Sequence, residues 1–218
     1  MSLPGEAVRR TPHAGRAQED PGRPGRGQEE PGRLDRAQVD PGRLDRAQVD
    51  LRDAFRAAMA RVCTPVCVAT TLDRGRPHGT TVSAFTSLSM SPPMVLMALD
   101  RGSDLLALIR RTGRLGLNIL AGGQSDLALC FARKGADKFA DAEWSAESGA
   151  ARLAGAAAWV GCAVSDLIDG GDHVIVLGTV LRAEAADAAP LTYHARTFGT
   201  HCPNADCLNA ACACSRGV

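Results

Sequence analysis

Residues 16–50 repeat with a period of ten, as RAQEDPGRPG, RGQEEPGRLD, RAQVDPGRLD and then RAQVD. Each full unit carries Pro-Gly, a pair that interrupts helix and strand alike. Each alternates charges and gives a core almost nothing to bury, so the segment is expected to be disordered. A stacked solenoid would need a regular apolar position in every unit. Leu34, Val39 and Leu44 are too sparse to supply one. Residues 1–50 hold nine Arg and nine Asp/Glu but no Phe, Trp, Tyr, Ile or Cys, and all eight aromatic residues lie from Phe55 to Phe198. Core formation is thereby confined to about 150 residues, enough to bury roughly two-thirds of their unfolded surface. The expected organisation is a repeat tail over 1–50, one domain over 51–200 and a Cys-rich flexible tail over 201–218.

Charge excludes several partners. The chain has a net charge of +1, and residues 51–200 keep that balance with 15 Lys/Arg against 14 Asp/Glu. Nucleic-acid binding or an anionic membrane normally demands a basic excess, so neither partner is expected. Arg outnumbers Lys 23 to 2, the two lysines being Lys134 and Lys138. No apolar run approaches the roughly 18 residues of a membrane span, and residues 1–10 offer no apolar stretch for a signal peptide. The expected location is cytoplasmic, where thiols stay reduced. Cys63, Cys67, Cys130 and Cys162 sit in apolar segments and read as small hydrophobes. His201, Cys202, Cys207, Cys212 and Cys214 crowd the tail, but their spacings fit structural zinc sites only in part. No metal is expected there.

Apolar spacing at Leu51, Phe55, Ala58, Met59 and Val62 predicts a helix opening near Asp50 and ending before Pro65. Strands follow over 66–72, 80–87, 94–99 and 115–120, with a hairpin-like turn at 73–79. Ser103 opens a helix through Arg111 that Gly113 closes, and a second helix covers 125–132. Two long β-rich runs, 157–168 and 173–185, flank Asp169-Gly170-Gly171-Asp172, a centre suited to a tight hairpin. A last short strand covers 191–195. Strands joined mostly by short connections favour a barrel over a doubly wound sheet.

Several common sites are missing from the chain: G-x-x-x-x-G-K-[ST], G-x-G-x-x-G after a strand, H-E-x-x-H and C-x-x-C. A Ser/His/Asp hydrolase stays open because triads are geometric, although no G-x-S-x-G elbow supports one. The informative run is HGTTVSAFTSLSMSPP, residues 78–93. Read as one strand, it places Thr81, Ser83, Phe85 and Ser87 on one face. Small hydroxyls around one aromatic fit either a solvated edge strand or the lining of a site for a flat polar ring, whose edge main-chain N–H groups can reach.

That run resembles the signature of the flavin reductase family, which has the FMN-binding split-barrel fold and includes the reductase components of two-component flavin-dependent monooxygenases. Further matches follow in order over 95–120 (VLMALDRGSDLLALIRRTGRLGLNIL), 130–139 (CFARKGADKF), 170–180 (GGDHVIVLGTV) and 190–199 (PLTYHARTFG). The resemblance implies a mainly β fold, a six-stranded Greek-key split β-barrel with short flanking helices, assembled as a homodimer. It implies an NAD(P)H:flavin oxidoreductase that uses NADH or NADPH to reduce FMN or FAD for a partner monooxygenase. A split-barrel protein that binds flavin or senses redox state without turnover is the alternative.

Residue by residue, the resemblance assigns the flavin ring to Thr81, Val82, Ser83, Ala84 and Phe85, with Ser87 and Leu88. It assigns the flavin phosphate to the turn Arg101-Gly102-Ser103-Asp104, with Gly102, Ser103 and Asp104 as cofactor-binding residues, where a helix N-terminus would favour an anion. Asp104 departs from the hydroxyl or basic residue often found there. Asn118, Phe131, Lys138 and Phe139 match further cofactor-binding positions. His173 matches a histidine near the nicotinamide and is the candidate catalytic residue. Without the resemblance it reads as a turn histidine capping a hairpin. Tyr193 and Arg196 match an element that closes over the same site. Trp144 and Trp159 are assigned to packing, and His78 to the turn.

Overall fold

The computed structural model describes residues 41–201 except 136. The first helix, α1 (Pro41–Met59), opens nine residues before the position expected from the apolar spacing and runs through the last repeat unit. Pro-Gly does not prevent this, because Pro41 stands at the first helical position. There its missing N–H would have had no partner, and its fixed φ already suits the helix. Disorder over 1–40 lies outside the described residues. The apolar stripe is helical as predicted but exposed: Leu51, Phe55 and Met59 are 69%, 64% and 48% accessible. Among the described residues, no helix is long and apolar enough to cross a membrane.

Seven antiparallel strands, rather than six, make the main sheet. They are β2 (Cys67–Asp73), β3 (Arg76–Val82), β4 (Phe85–Met90), β5 (Pro93–Asp100), β6 (Arg114–Ile119), β9 (Ala158–Gly170) and β10 (His173–Ala185), in the order β3-β2-β6-β9-β10-β5-β4. The short strands β1 (Thr64–Pro65), β11 (Leu191–His194) and β12 (Thr197–Thr200) form a separate three-stranded sheet, and β7 (Trp144–Glu147) pairs with β8 (Ala150–Leu153) as a hairpin. The single strand predicted over 80–87 is broken at Ser83-Ala84, and its halves, β3 and β4, are opposite edges of the sheet. Two residues span little, since a chain advances at most about 3.6 Å per residue. The sheet must therefore curl until its edges nearly meet. No ladder joins β3 to β4, so it stays split there. Ala84 stays on the β4 side of the split, its carbonyl accepting the Ala98 N–H of β5 at 2.9 Å.

Two helices cover the sheet where the sequence places them. In α2 (Asp104–Thr112), Leu105, Leu106 and Ile109 are buried against Met97, Leu115 and Val176. Burying each such side chain stabilises the fold by about 1.5–3 kcal/mol. Gly113, at φ +64°, closes α2 by donating its N–H to Ile109 O. The other helix, α3 (Ser125–Ala132), inserts Phe131 among Leu120, Phe139, Leu153 and Leu191.

The β7–β8 hairpin is tied to β10 by a ring of charges. Arg152 meets Glu147 at 3.1 Å and Glu184 at 2.6 Å, while Arg182 meets Glu147 at 2.7 Å and also pairs with Glu184. The hydrogen bonds from Arg182 and Arg152 hold the Glu184 carboxyl below the usual glutamate value. A lowered folded-state pKa stabilises the fold above the unfolded value and stops doing so as pH falls through the folded one. Glu184→Gln should thus lower Tm at neutral pH and converge on the parent under acid, a difference that added salt should shrink. Thermal melts across pH check it.

Candidate functional site

A cavity of about 1130 Å³ opens beside the split in the sheet. Its first wall is β3 with Ser83 and Ala84. As an edge strand, β3 pairs only with β2, so its outward N–H and C=O groups are left for other partners. The hydroxyls are less free. Thr81 donates to Ala128 O at 2.6 Å, and Thr80 reaches Phe131 O at 3.5 Å. Main chain rather than Thr hydroxyl is what this wall can offer a ring. Gly79 keeps it thin, because a Cβ there would lie 3.0 Å from the Phe131 ring.

The second wall is the end of β5 and the turn into α2. Asp100 organises this turn, accepting the Gly102 N–H on its carboxylate at 2.7 Å and the Ser103 N–H on its carbonyl at 3.0 Å. Those two donors are spent within the turn. Ser103 occupies the N-cap without a side-chain capping bond. Its hydroxyl and the first-turn N–H groups of α2 remain as anion donors.

The third wall runs from the end of α3 through 133–139, excluding 136. Lys138 Nζ donates to Phe131 O at 2.9 Å and Gly79 O at 3.2 Å, fixing its ammonium at the cavity. Burial lowers its pKa, partly offset by the charges of Cys130 and Asp104. His173 completes the rim from the β9–β10 hairpin, with its Nδ1 held 2.7 Å from Asp172 Oδ1.

Of the residues assigned from sequence, Thr81, Val82, Ser83, Ala84, Gly102, Ser103, Asp104, Lys138, Phe139 and His173 converge on this cavity. Seven do not line it. Phe85 packs on the core, while Ser87 and Leu88 lie further along β4, beyond the split and beside an irregularity in its pairing. Phe131 is fully buried, its ring edge-on to Phe139 at 4.8 Å, and only its carbonyl serves the site, through Lys138. Asn118 is fully buried as well: Nδ2 donates to Val68 O and Ala151 O at 3.1 Å each, and Oδ1 accepts the Leu153 N–H at 2.7 Å. Both its donors and its oxygen are engaged between strands, which is the work of a stitch between β6, β2 and β8. Tyr193 pairs across to β1 and packs on Phe198, and Arg196 forms the turn after β11 at φ +65°. Both belong to the separate three-stranded sheet.

Sequence reasoning also missed residues. His78 and Trp144, assigned to a turn and to packing, line the cavity, as do Arg76, Arg133 and Lys134. Both lysines of an arginine-dominated chain are among the lining residues, and that concentration was the available signal. Trp159 is buried packing as expected. Among the described residues no cluster of His, Cys, Asp and Glu could hold a metal, and residues 202–218 lie outside them.

Comparison with known proteins identifies the scaffold. Residues 59–201 match the flavin reductase like domain. The reductase component of 4-nitrophenol 4-monooxygenase/4-nitrocatechol 2-monooxygenase from Rhodococcus opacus is 39% identical over 149 residues, 68% of this chain and 80% of that protein. The actinorhodin polyketide dimerase of Streptomyces coelicolor is 40% identical over 166 residues, 75% of this chain and 93% of its own. The NADH:FAD oxidoreductase of Streptomyces globisporus C-1027, solved with NAD and FAD fragments, superposes with a TM-score of 0.66 at 33% identity, covering 77% of this chain and 98% of that one. A domain match over most of the folded residues, relatives well above 30% identity and a shared curled sheet agree: the chain belongs to the flavin reductase family.

Proposed function

We propose that this chain takes hydride from NADH or NADPH onto FMN or FAD held in the cavity, and passes the reduced flavin to a separate flavin-dependent monooxygenase. The carrying observation is the cavity itself, which at about 1130 Å³ exceeds the usual range for one small ligand and gathers both lysines and His173. The residues fit a flavin nucleotide, since unpaired β3 main chain suits a polar ring edge and Lys138 with the start of α2 suits a phosphate. A bound flavin would supply the two-electron acceptor, so the protein needs no side-chain base. Its own share is to bind and orient. Edge-strand groups near Ser83 and Ala84 hold the ring, Trp144 and Phe139 shield it, and His173 steadies the nicotinamide from the opposite hairpin.

We further propose a homodimer, supported by the exposed Leu51, Phe55 and Met59 stripe of α1, and a cytoplasmic location. Residues 1–40 precede α1 and lie outside the family match, so deleting them should leave flavin reduction within about twofold, as expected for a change away from the site. Loss of turnover in a folded truncation would contradict this. The function is tested by following NADH oxidation with and without added FMN or FAD. Flavin-dependent consumption supports the reading, and flavin binding without consumption would leave a non-catalytic flavin protein.

A further inference from the structure

Arg101 lies between β5 and α2, flanked by the cavity-lining Asp100 and Gly102, yet does not itself line the cavity. Its contacts run instead to the hairpin that carries His173. Nε donates to Gly171 O at 2.8 Å, a terminal nitrogen meets Asp169 Oδ1 at 3.0 Å, and the Arg101 N–H donates to Asp172 O at 3.0 Å. Three successive parts of one turn are therefore held from one residue. His173 follows directly, paired across to Asp100 on β5. Its imidazole partner is Asp172, whose carboxylate is 91% exposed and so poorly placed to fix the ring unaided.

We propose that Arg101 is a positioning residue. It clamps the β9–β10 turn onto the β5–α2 turn, so that the wall carrying Ser103 and the rim carrying His173 keep one spacing. The proposal rests on the function given above and adds a residue that touches neither cofactor. Chemistry favours arginine here, because a planar fork can serve a carbonyl and a carboxylate together, whereas a lysine ammonium is a single point charge. Lysine should keep the attraction to Asp169 and lose the second, directional bond.

The test uses the flavin-loaded full chain, with NAD+ binding by calorimetry, flavin affinity by fluorescence, and KM and kcat for NADH. Arg101→Ala should weaken NAD+ binding and raise KM by about tenfold, the scale of a lost charged hydrogen bond, with flavin affinity within twofold. Arg101→Lys should fall between it and the parent. Asp169→Asn, which alters the exposed partner, should move NAD+ binding the same way by less. Because Arg101 acts through His173, the double variant with His173→Ala should bind NAD+ no worse than His173→Ala alone. Unchanged NAD+ affinity in Arg101→Ala, additive losses in the double variant, or an equal loss of flavin affinity would each overturn the proposal. A parent protein that binds flavin but no NAD+ would overturn the functional reading beneath it, and this proposal with it.

Discussion

Asn118→Leu should destabilise the fold by about 3–5 kcal/mol, since buried groups left without partners cost about 1–3 kcal/mol each. The side chain is fully buried and links three strands at once: its own β6, β2 through Val68 O, and β8 through Ala151 O and the Leu153 N–H. Leucine has similar bulk and satisfies none of these. Ala151 O keeps a donor in the Thr70 hydroxyl at 2.6 Å, so the cost falls on the Leu153 N–H and Val68 O. For a domain of this size the expected fall in Tm is about 10–15 °C. Protein still folded at lower temperature should bind flavin nearly as the parent does. An unchanged Tm with lost flavin affinity would make Asn118 a ligand instead.

His173→Ala should lower kcat/KM for NADH by roughly ten- to hundredfold while flavin affinity changes little. The walls proposed to hold the flavin come from β3, the start of α2 and Lys138, whereas His173 arrives on the β9–β10 hairpin. Losing one or two hydrogen bonds to a polar cofactor costs on the order of 1–3 kcal/mol, which corresponds to that fall in rate. A histidine that only capped its hairpin would leave the kinetics unaltered and lower Tm slightly. Flavin titration beside steady-state kinetics of the same variant separates the two.

Much of the fold was legible because local signals were strong. α3 covers the residues expected of it, and α2 lies between its Ser103 and Gly113 boundary signals. The apolar run at 94–99 and the Gly-Gly hairpin gave β5, β9 and β10 within a residue or two. The break at Ser83-Ala84 was not legible, since neither residue punctuates a chain and the break follows from curling a seven-stranded sheet. β7 and β8 have only four residues each, too few for periodicity to register.

The site divides in the same way. Segments around Thr81, Ser103, Lys138 and His173 are remote in sequence, and their meeting was expected from ordered motifs rather than from pattern. Asn118 shows the limit, because a motif position records that an amide is needed without saying whether ligand or strand needs it. His78 and Trp144 were assigned to ordinary structure for want of any neighbour to say that a cavity lay beside them.

As a member of the flavin reductase family, the protein is an oxidoreductase of flavin and nicotinamide nucleotides. Both nucleotides are proposed to meet in one cavity, bounded by β3, the Ser103 turn, Lys138 and His173. The most direct measurement is single-turnover reduction without oxygen: flavin-loaded protein is mixed with NADH or NADPH, and the visible band of oxidised flavin is followed. The expected result is that one equivalent of at least one of these donors bleaches one equivalent of flavin, and that His173→Ala slows the bleaching or demands more nucleotide. Full flavin occupancy with no bleaching by either donor would contradict it.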